Sequence, residues 1–200
     1  MEKYQNKLHK FSIWASLIFF AIRCALGLYG GDKAGLSVKI IYQLFGYATE
    51  AIGLSAVVCR VIEKLAWRWY PVNKMLGGVP ILHGTYNITL KSNYKTSKFP
   101  DGVTKRGTVE FVQTLTDLSV KLKTDESQSI SVNACLCDEN GDRTLIYTYR
   151  NEPQSTVRDH SEIHYGTARF HLNKTLDKIQ GDYYTDRNTT GTMNLKRKKK

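Results

Sequence analysis

Four cysteines, no phosphate-binding loop and a minority of acidic residues set the first limits on this 200-residue chain. Cys24 and Cys59 stand in apolar runs. Cys135 and Cys137 are two apart in an alternating stretch, so they share a strand face and do not readily bridge each other. A disulfide framework is therefore excluded, and a reducing, cytosolic setting fits. His9, His83, His160, His164 and His171 lack metal-ligand spacing and have no partnered nucleophile in an elbow motif. There is no Walker loop, no dinucleotide fingerprint and no internal repeat. The chain is read as having no catalytic residue, no metal and no cofactor, and not as an enzyme.

Long apolar runs are missing after residue 79. The mean hydropathy of −0.36 hides this split. Before it, Phe11–Tyr29 is apolar with one charge, Arg23, and Leu36–Ile62 is apolar apart from Lys39, Glu50 and Arg60. A bilayer core needs roughly 20 apolar residues at helical rise, and each run suffices. A short polar break, residues 30–35, joins them, so the expected form is an antiparallel hairpin. Two core helices of a soluble protein pass the same hydropathy test. A cleaved signal peptide fits less well, because the second run follows directly.

Acidic residues number 18 against 29 Lys and Arg, a net charge of +11. Both parts are basic, with 10 against 4 up to residue 79 and 19 against 14 beyond it. Such a balance beside a membrane suits an anionic ligand or anionic headgroups. The charge is diffuse outside the tail, so DNA and RNA are not expected partners. Lys3, Lys7 and Lys10 precede the first run, and Arg60, Lys64, Arg68 and Lys74 follow or close the second. By the positive-inside rule both termini are cytoplasmic. Trp67, Arg68, Trp69 and Tyr70 form an aromatic and basic cluster suited to a headgroup interface, and Pro71 is expected to end the helix.

The expected organisation is a basic segment at 1–10, spans at 11–30 and 36–62, an interfacial linker at 63–81 and a β domain with a basic tail at 82–200. Counted from the outer ends, Arg23 lies roughly 9 Å deep and Glu50 roughly 21 Å. That offset speaks against an intrachain pair. It points Glu50 to another copy or a water-filled opening, or else to a protonated residue with no role. Arg23 and Glu50 are the candidate effector residues within the spans.

From Leu82 onward the period is two. Strands are expected at 82–92, 106–115, 118–123, 130–137, 144–151, 163–172, 179–187 and 191–196, with hairpin-length connections. This is the pattern of an antiparallel barrel or sandwich, and eight strands closed into a barrel can be filled or hold one small ligand. Tyr147, Tyr149 and Asn151 share one face, as do Tyr183, Thr185 and Arg187, while Tyr86 follows Gly84 on the first strand. Lining one cavity, the tyrosines would stack on bases, Arg187 would hold a phosphate, and Asn151 and Thr185 would read base edges. The same residues also fit ordinary barrel packing with Arg187 at a solvent-facing strand end.

Several stretches carry a family likeness: Leu82-His-Gly84-Thr-Tyr86, Lys105-Arg106-Gly107-Thr108, Tyr147-Thr-Tyr149-Arg-Asn151-Glu-Pro153, His164-Tyr-Gly166-Thr-Ala168 and Gly181-Asp-Tyr183-Tyr-Thr185-Asp-Arg187-Asn-Thr189-Thr-Gly191. Their order after a helical hairpin resembles the two-transmembrane β-barrel effectors of bacterial CBASS anti-phage defence, STING-like in role. The resemblance implies a lipocalin-like, eight-stranded up-and-down barrel that senses a cyclic dinucleotide made by a partner CD-NTase. It further implies ligand-induced homo-oligomers, a multi-pass location in the bacterial inner membrane, contact with its lipids, and membrane disruption that kills the infected cell. Tyr86, Tyr147, Tyr149, Asn151, Thr185 and Arg187 are the candidate ligand-binding residues on face and chemistry. Two other readings remain: an anchored lipocalin-like lipid-binding protein, and an anchored interaction module with a filled barrel.

Overall fold

The computed structural model describes residues 2–29, 38–95, 100–139, 141–158 and 161–198. The chain divides into two compact units, one of Glu2–Val79 with Thr114–Thr116, and one of Pro80–Gln113 with Asp117–Lys200. The expected hairpin connection at residues 30–35 lies outside the described residues.

In the helical unit, α1 spans Glu2–Tyr29 and α2 spans Val38–Lys64. Lys3–Gly27 and Ile40–Lys64 are long and apolar enough to cross a membrane. Little of either stretch is buried within the protein, and Trp14, Leu26, Phe45 and Ile52 are among the large side chains left exposed. α1 begins at Glu2, so the basic segment expected ahead of the first span is itself helical.

Three meetings fix the hairpin's register. Ser16 Oγ lies 2.6 Å from Ser55 Oγ, Arg23 Nε lies 2.7 Å from Glu50 Oε2, and the Tyr47 ring lies against Gly27. A second contact, Arg23 Nη2 to Glu50 Oε1 at 3.4 Å, completes the pair, with the guanidinium 4.9 Å from the Tyr47 ring centroid. This corrects the depth argument made from sequence. The two apolar runs do not start level. In the observed register Tyr29 stands opposite about residue 44, so Arg23 and Glu50 meet.

After α2 the chain makes a 3₁₀ turn at Ala66–Arg68 and a short helix, α3, at Tyr70–Met75. Pro71 therefore opens a helix rather than ending one, because a first-turn residue needs no N–H partner and proline presets φ. The aromatic cluster also divides. Trp67 is fully buried, whereas Trp69 and Tyr70 are exposed. Tyr4, Ile62, Ala66, Leu76, Val79 and Leu115 are buried in the same unit.

The second unit is a closed antiparallel barrel whose eight strands follow chain order: β1 Gly84–Ser92, β2 Val103–Gln113, β3 Leu118–Thr124, β4 Ser127–Glu139, β5 Asp142–Pro153, β6 His164–Leu172, β7 Lys178–Thr185 and β8 Thr190–Arg197. All eight expected strands are present. β8 closes on β1, with Tyr86 opposite Arg197 and Ser92 opposite Gly191. Alternation sends Tyr86 and Ile88, Val109 and Phe111, Val120 and Leu122, Leu145 and Tyr147, Ala168 and Phe170, and Met193 and Leu195 into one core. The β3–β4 ladder holds three pairs, Lys121–Ile130 to Lys123–Gln128. β4 is bulged between Ser131 and Asn133, and Ser131 Oγ accepts the Val120 N–H at 2.9 Å.

Two interior glycines make space for tyrosine rings. A Cβ at Gly166 would collide with the Tyr149 hydroxyl, and one at Gly191 would stand 2.6 Å from Tyr183 Cε1. Gly166→Ala should therefore destabilise the barrel by about 1–3 kcal/mol. Chemical denaturation of the full chain in detergent would measure this; an unchanged midpoint would mean that the Tyr149 ring moves aside freely.

Candidate functional site

The barrel's two ends differ in chemistry. We call proximal the end where β1 begins and distal the end where it finishes. Proximal and middle levels are apolar, with Phe111, Leu118, Phe170 and Ile179 buried there and Gln113 as a buried polar group. Toward the distal end the inward positions turn polar: Thr124, Ser129, His164 and Thr185 are buried, and Asn151 and Lys105 are half-buried.

Register arranges these groups in rows. The outermost row sets Ser129, Asn151 and His164 side by side on β4, β5 and β6. The next holds Ser131, Tyr149, Gly166 and Thr185. Below it come Ala134, Tyr147, Ala168, Tyr183 and Gly191. Rings continue downward, since Tyr147 lies 5.8 Å from Tyr149 and stacks on Phe170 at 5.9 Å. Burial raises the pKa of both Tyr147 and Tyr149, so each keeps its phenolic proton across the physiological range.

Arg187 lies beyond the end of β7, exposed in the β7–β8 turn. The expected strand at 179–187 stops at Thr185 because the chain turns there. Thr185 Oγ1 lies 2.6 Å from Thr189 Oγ1, and Asn188 takes φ 57°. Asp186 ties this turn to β6, giving its N–H to Tyr165 O at 3.1 Å and accepting the Tyr165 N–H at 3.0 Å. Arg187 thus sits at the rim, on a fixed turn. Lys105 shares the distal end and is ion-paired with Glu126.

The structure brings Tyr147, Tyr149, Asn151 and Thr185 together, with Arg187 at the rim above them. Tyr86 is elsewhere. It is buried at the proximal end, beneath Arg197, whose guanidinium lies 4.9 Å from the ring centroid and whose Nη2 donates to the Tyr86 hydroxyl. Burial raises the Tyr86 pKa, and the Arg197 cation opposes that shift. Sequence reasoning missed Lys105, Thr124, Ser129 and His164 as members of the distal group. The available signal was alternation: Lys105 shares the β2 face of Val109 and Phe111, and His164 the β6 face of Ala168 and Phe170.

An apolar base, a Tyr147 ring stacked on Phe170 with Tyr149 tilted against it, and a distal end of hydroxyl, amide and basic groups define a class, a closed eight-stranded barrel with one polar end. Comparison gives the family. Residues 78–197 match the family model described as "Cap15, cyclic dinucleotide receptor domain", and the chain belongs to that family. It is also 27% identical over 198 residues to CD-NTase-associated protein 15 of Staphylococcus schleiferi, covering 97% of each chain. Among solved structures it is similar to a redesigned β-barrel, with a TM-score of 0.43 and 16% identity over 59% of this chain and 92% of that one. A second redesigned barrel, bound to DFHBI, matches with a TM-score of 0.27 and 13% identity over 58% of this chain and 94% of that one.

Burial holds the His164 pKa below the usual histidine value, and the Arg187 and Lys105 cations add to this against the Glu162 carbonyl and Asp186. The unfolded chain therefore takes up a proton near pH 6.5 that the folded barrel resists. Stability should fall as pH drops through that range, until the folded imidazole itself protonates. His164→Gln should flatten the fall between about pH 7 and 5 in thermal melts. Equal slopes for variant and parent would assign the dependence to other groups.

Proposed function

We propose that this chain is the membrane effector of a CBASS anti-phage system, with a cyclic dinucleotide bound at the distal end of its barrel. The observation that carries this is the polar, tyrosine-lined distal interior with Arg187 and Lys105 at its end, inside the domain that matches the receptor family. Bases stack on Tyr149 and Tyr183, Asn151 and Thr185 offer groups to base edges, and the two cations face the phosphates. The Staphylococcus schleiferi relative is named as a CD-NTase-associated protein, and in this reading the same kind of enzyme supplies the ligand here. A lipid-binding barrel would call for an apolar interior to its mouth, which the distal hydroxyls disfavour. A filled interaction module predicts no small-molecule binding.

The protein is placed in the inner membrane with both termini cytoplasmic. Ligand binding favours an assembled state, which requires tighter binding to the assembly than to the single chain. Assembled hairpins then disrupt the membrane and the infected cell dies, with no chemical step by this chain. Arg23 and Glu50 act within the spans. Their ion pair is half-exposed along the hairpin, and a second copy or water covers it in the assembly.

Thermal melting of the full chain in detergent against cyclic di- and trinucleotides tests the sensor. A ligand at 100 times its Kd should add about 2.7 kcal/mol. Arg187→Ala should remove that shift while leaving the ligand-free melt in place. No shift with any cyclic nucleotide would favour the filled module. Arg23→Ala and Glu50→Ala should each lower ligand-induced killing, scored as viable counts after induction; killing equal to the parent's by both would remove them from the effector step.

A further inference from the structure

Two thiols meet on the outside of the barrel. β4 sends Leu136 into the core, so Cys135 and Cys137 on either side of it point outward. Their Sγ atoms lie 3.7 Å apart, with Cys135 exposed and Cys137 half-buried. With metal–sulfur bonds of about 2.3 Å, that separation subtends about 107° at the metal, close to the tetrahedral angle. The strand spacing thus presents two thiols at the bite that Zn²⁺ takes from cysteine ligands. A structural zinc needs four ligands, and among the described residues no third histidine, cysteine, aspartate or glutamate joins the pair.

The ground around the thiols is uncharged. Register sets Asn133 beside Thr148, Cys135 beside Ile146 and Cys137 beside Thr144 on the same outer face. Ile130 and Val132, next along β4, are exposed. The rest of the outer wall is basic. There β7, β8, β1, β2 and β3 turn Lys178, Lys196, Lys91, Arg106, Lys121 and Lys123 outward, against Glu110 and Asp182. Two copies of a chain with net charge +11 repel each other across those strands, whereas the β4–β5 face lets them approach. A twofold axis at that face would bring the same two thiols from the other copy.

We infer that Cys135 and Cys137 are half of a four-thiolate Zn²⁺ site, completed by the same pair from a second copy of this chain. Each thiol gives its proton to solvent as it binds. Four thiolates and one Zn²⁺ leave two negative charges at the contact, which the two basic chains offset. The contact lies on the outer wall of the barrel and uses none of its interior. It therefore goes beyond the cyclic dinucleotide reading and does not rest on it.

The test uses the full chain, reduced and in detergent, with Cd²⁺ as the spectroscopic stand-in for Zn²⁺. Cadmium should saturate at about one ion per two chains, with the NMR shift of four sulfur ligands. Cys135→Ser and Cys137→Ser should each lose that signal with an unchanged melt, whereas Cys24→Ser/Cys59→Ser should keep it. No binding, one ion per chain with two sulfur ligands, or a signal kept by Cys135→Ser would overturn the shared site. If a serine variant does not fold, alkylation of the parent decides. Bound cadmium should shield both Cys135 and Cys137 from iodoacetamide, and labelling of either at its metal-free rate would overturn the inference.

Discussion

The pairing of β8 with β1 is the constraint on which the barrel depends. Seven pairs, from Tyr86–Arg197 to Ser92–Gly191, join the last strand to the first and leave no open sheet edge there. Eight strands fix a narrow interior that side chains can fill. Each inward position must therefore either fill the space or leave it for something else. Tyr86, Phe111, Phe170 and Met193 fill the base. Gly166, Ala168, Gly181 and Gly191 yield space to neighbouring rings or backbone, and serine, threonine, asparagine and histidine take the distal positions.

Polarity along the barrel axis gives the fold a direction. A hydroxyl or imidazole buried without a partner is costly, so a distal row of Ser129, Asn151, His164 and Thr185 is tolerated best where solvent or a ligand can satisfy it. Part of that demand is met internally, as in the Thr185–Thr189 contact and the His164 Nδ1 to Glu162 O contact at 2.9 Å. The remaining capacity, with tyrosine rings below and Arg187 and Lys105 at the end, is what the proposed cyclic dinucleotide site draws on. The opposite end is occupied by the chain's own Pro80–His83 segment, which Gln113 and Arg197 hold.

Much of this was legible in the sequence because strand alternation is local. Every strand is legible there, and period two puts Tyr147, Tyr149 and Asn151 on one face and Thr185 on the inward face of another strand, while their meeting depends on barrel closure and on the β5–β6–β7 register. What was not legible depended on register or on chain reversal. Arg187 continues the β7 alternation on paper, but the turn built by Thr185, Asn188 and Thr189 lifts it to the rim. Tyr86 has the right chemistry at the wrong end, since only the β1–β8 pairing shows that it lies under Arg197. The Arg23–Glu50 pair was missed because interhelical register is set by Ser16–Ser55 and Gly27–Tyr47, contacts between residues distant in sequence. Pro71 was read as a stop where its restricted φ serves as a start. Gln113 gave no sequence signal, because its partners are backbone groups some thirty residues away.

The most direct measurement of the central claim is hydrogen–deuterium exchange on the full chain in detergent, with and without a cyclic dinucleotide. The account predicts ligand-dependent slowing at the distal strand ends, in peptides covering residues 103–108, 147–153, 164–168 and 183–191. Slowing confined to the proximal end around Tyr86 and Arg197, or none anywhere in the barrel at saturating ligand, would contradict it.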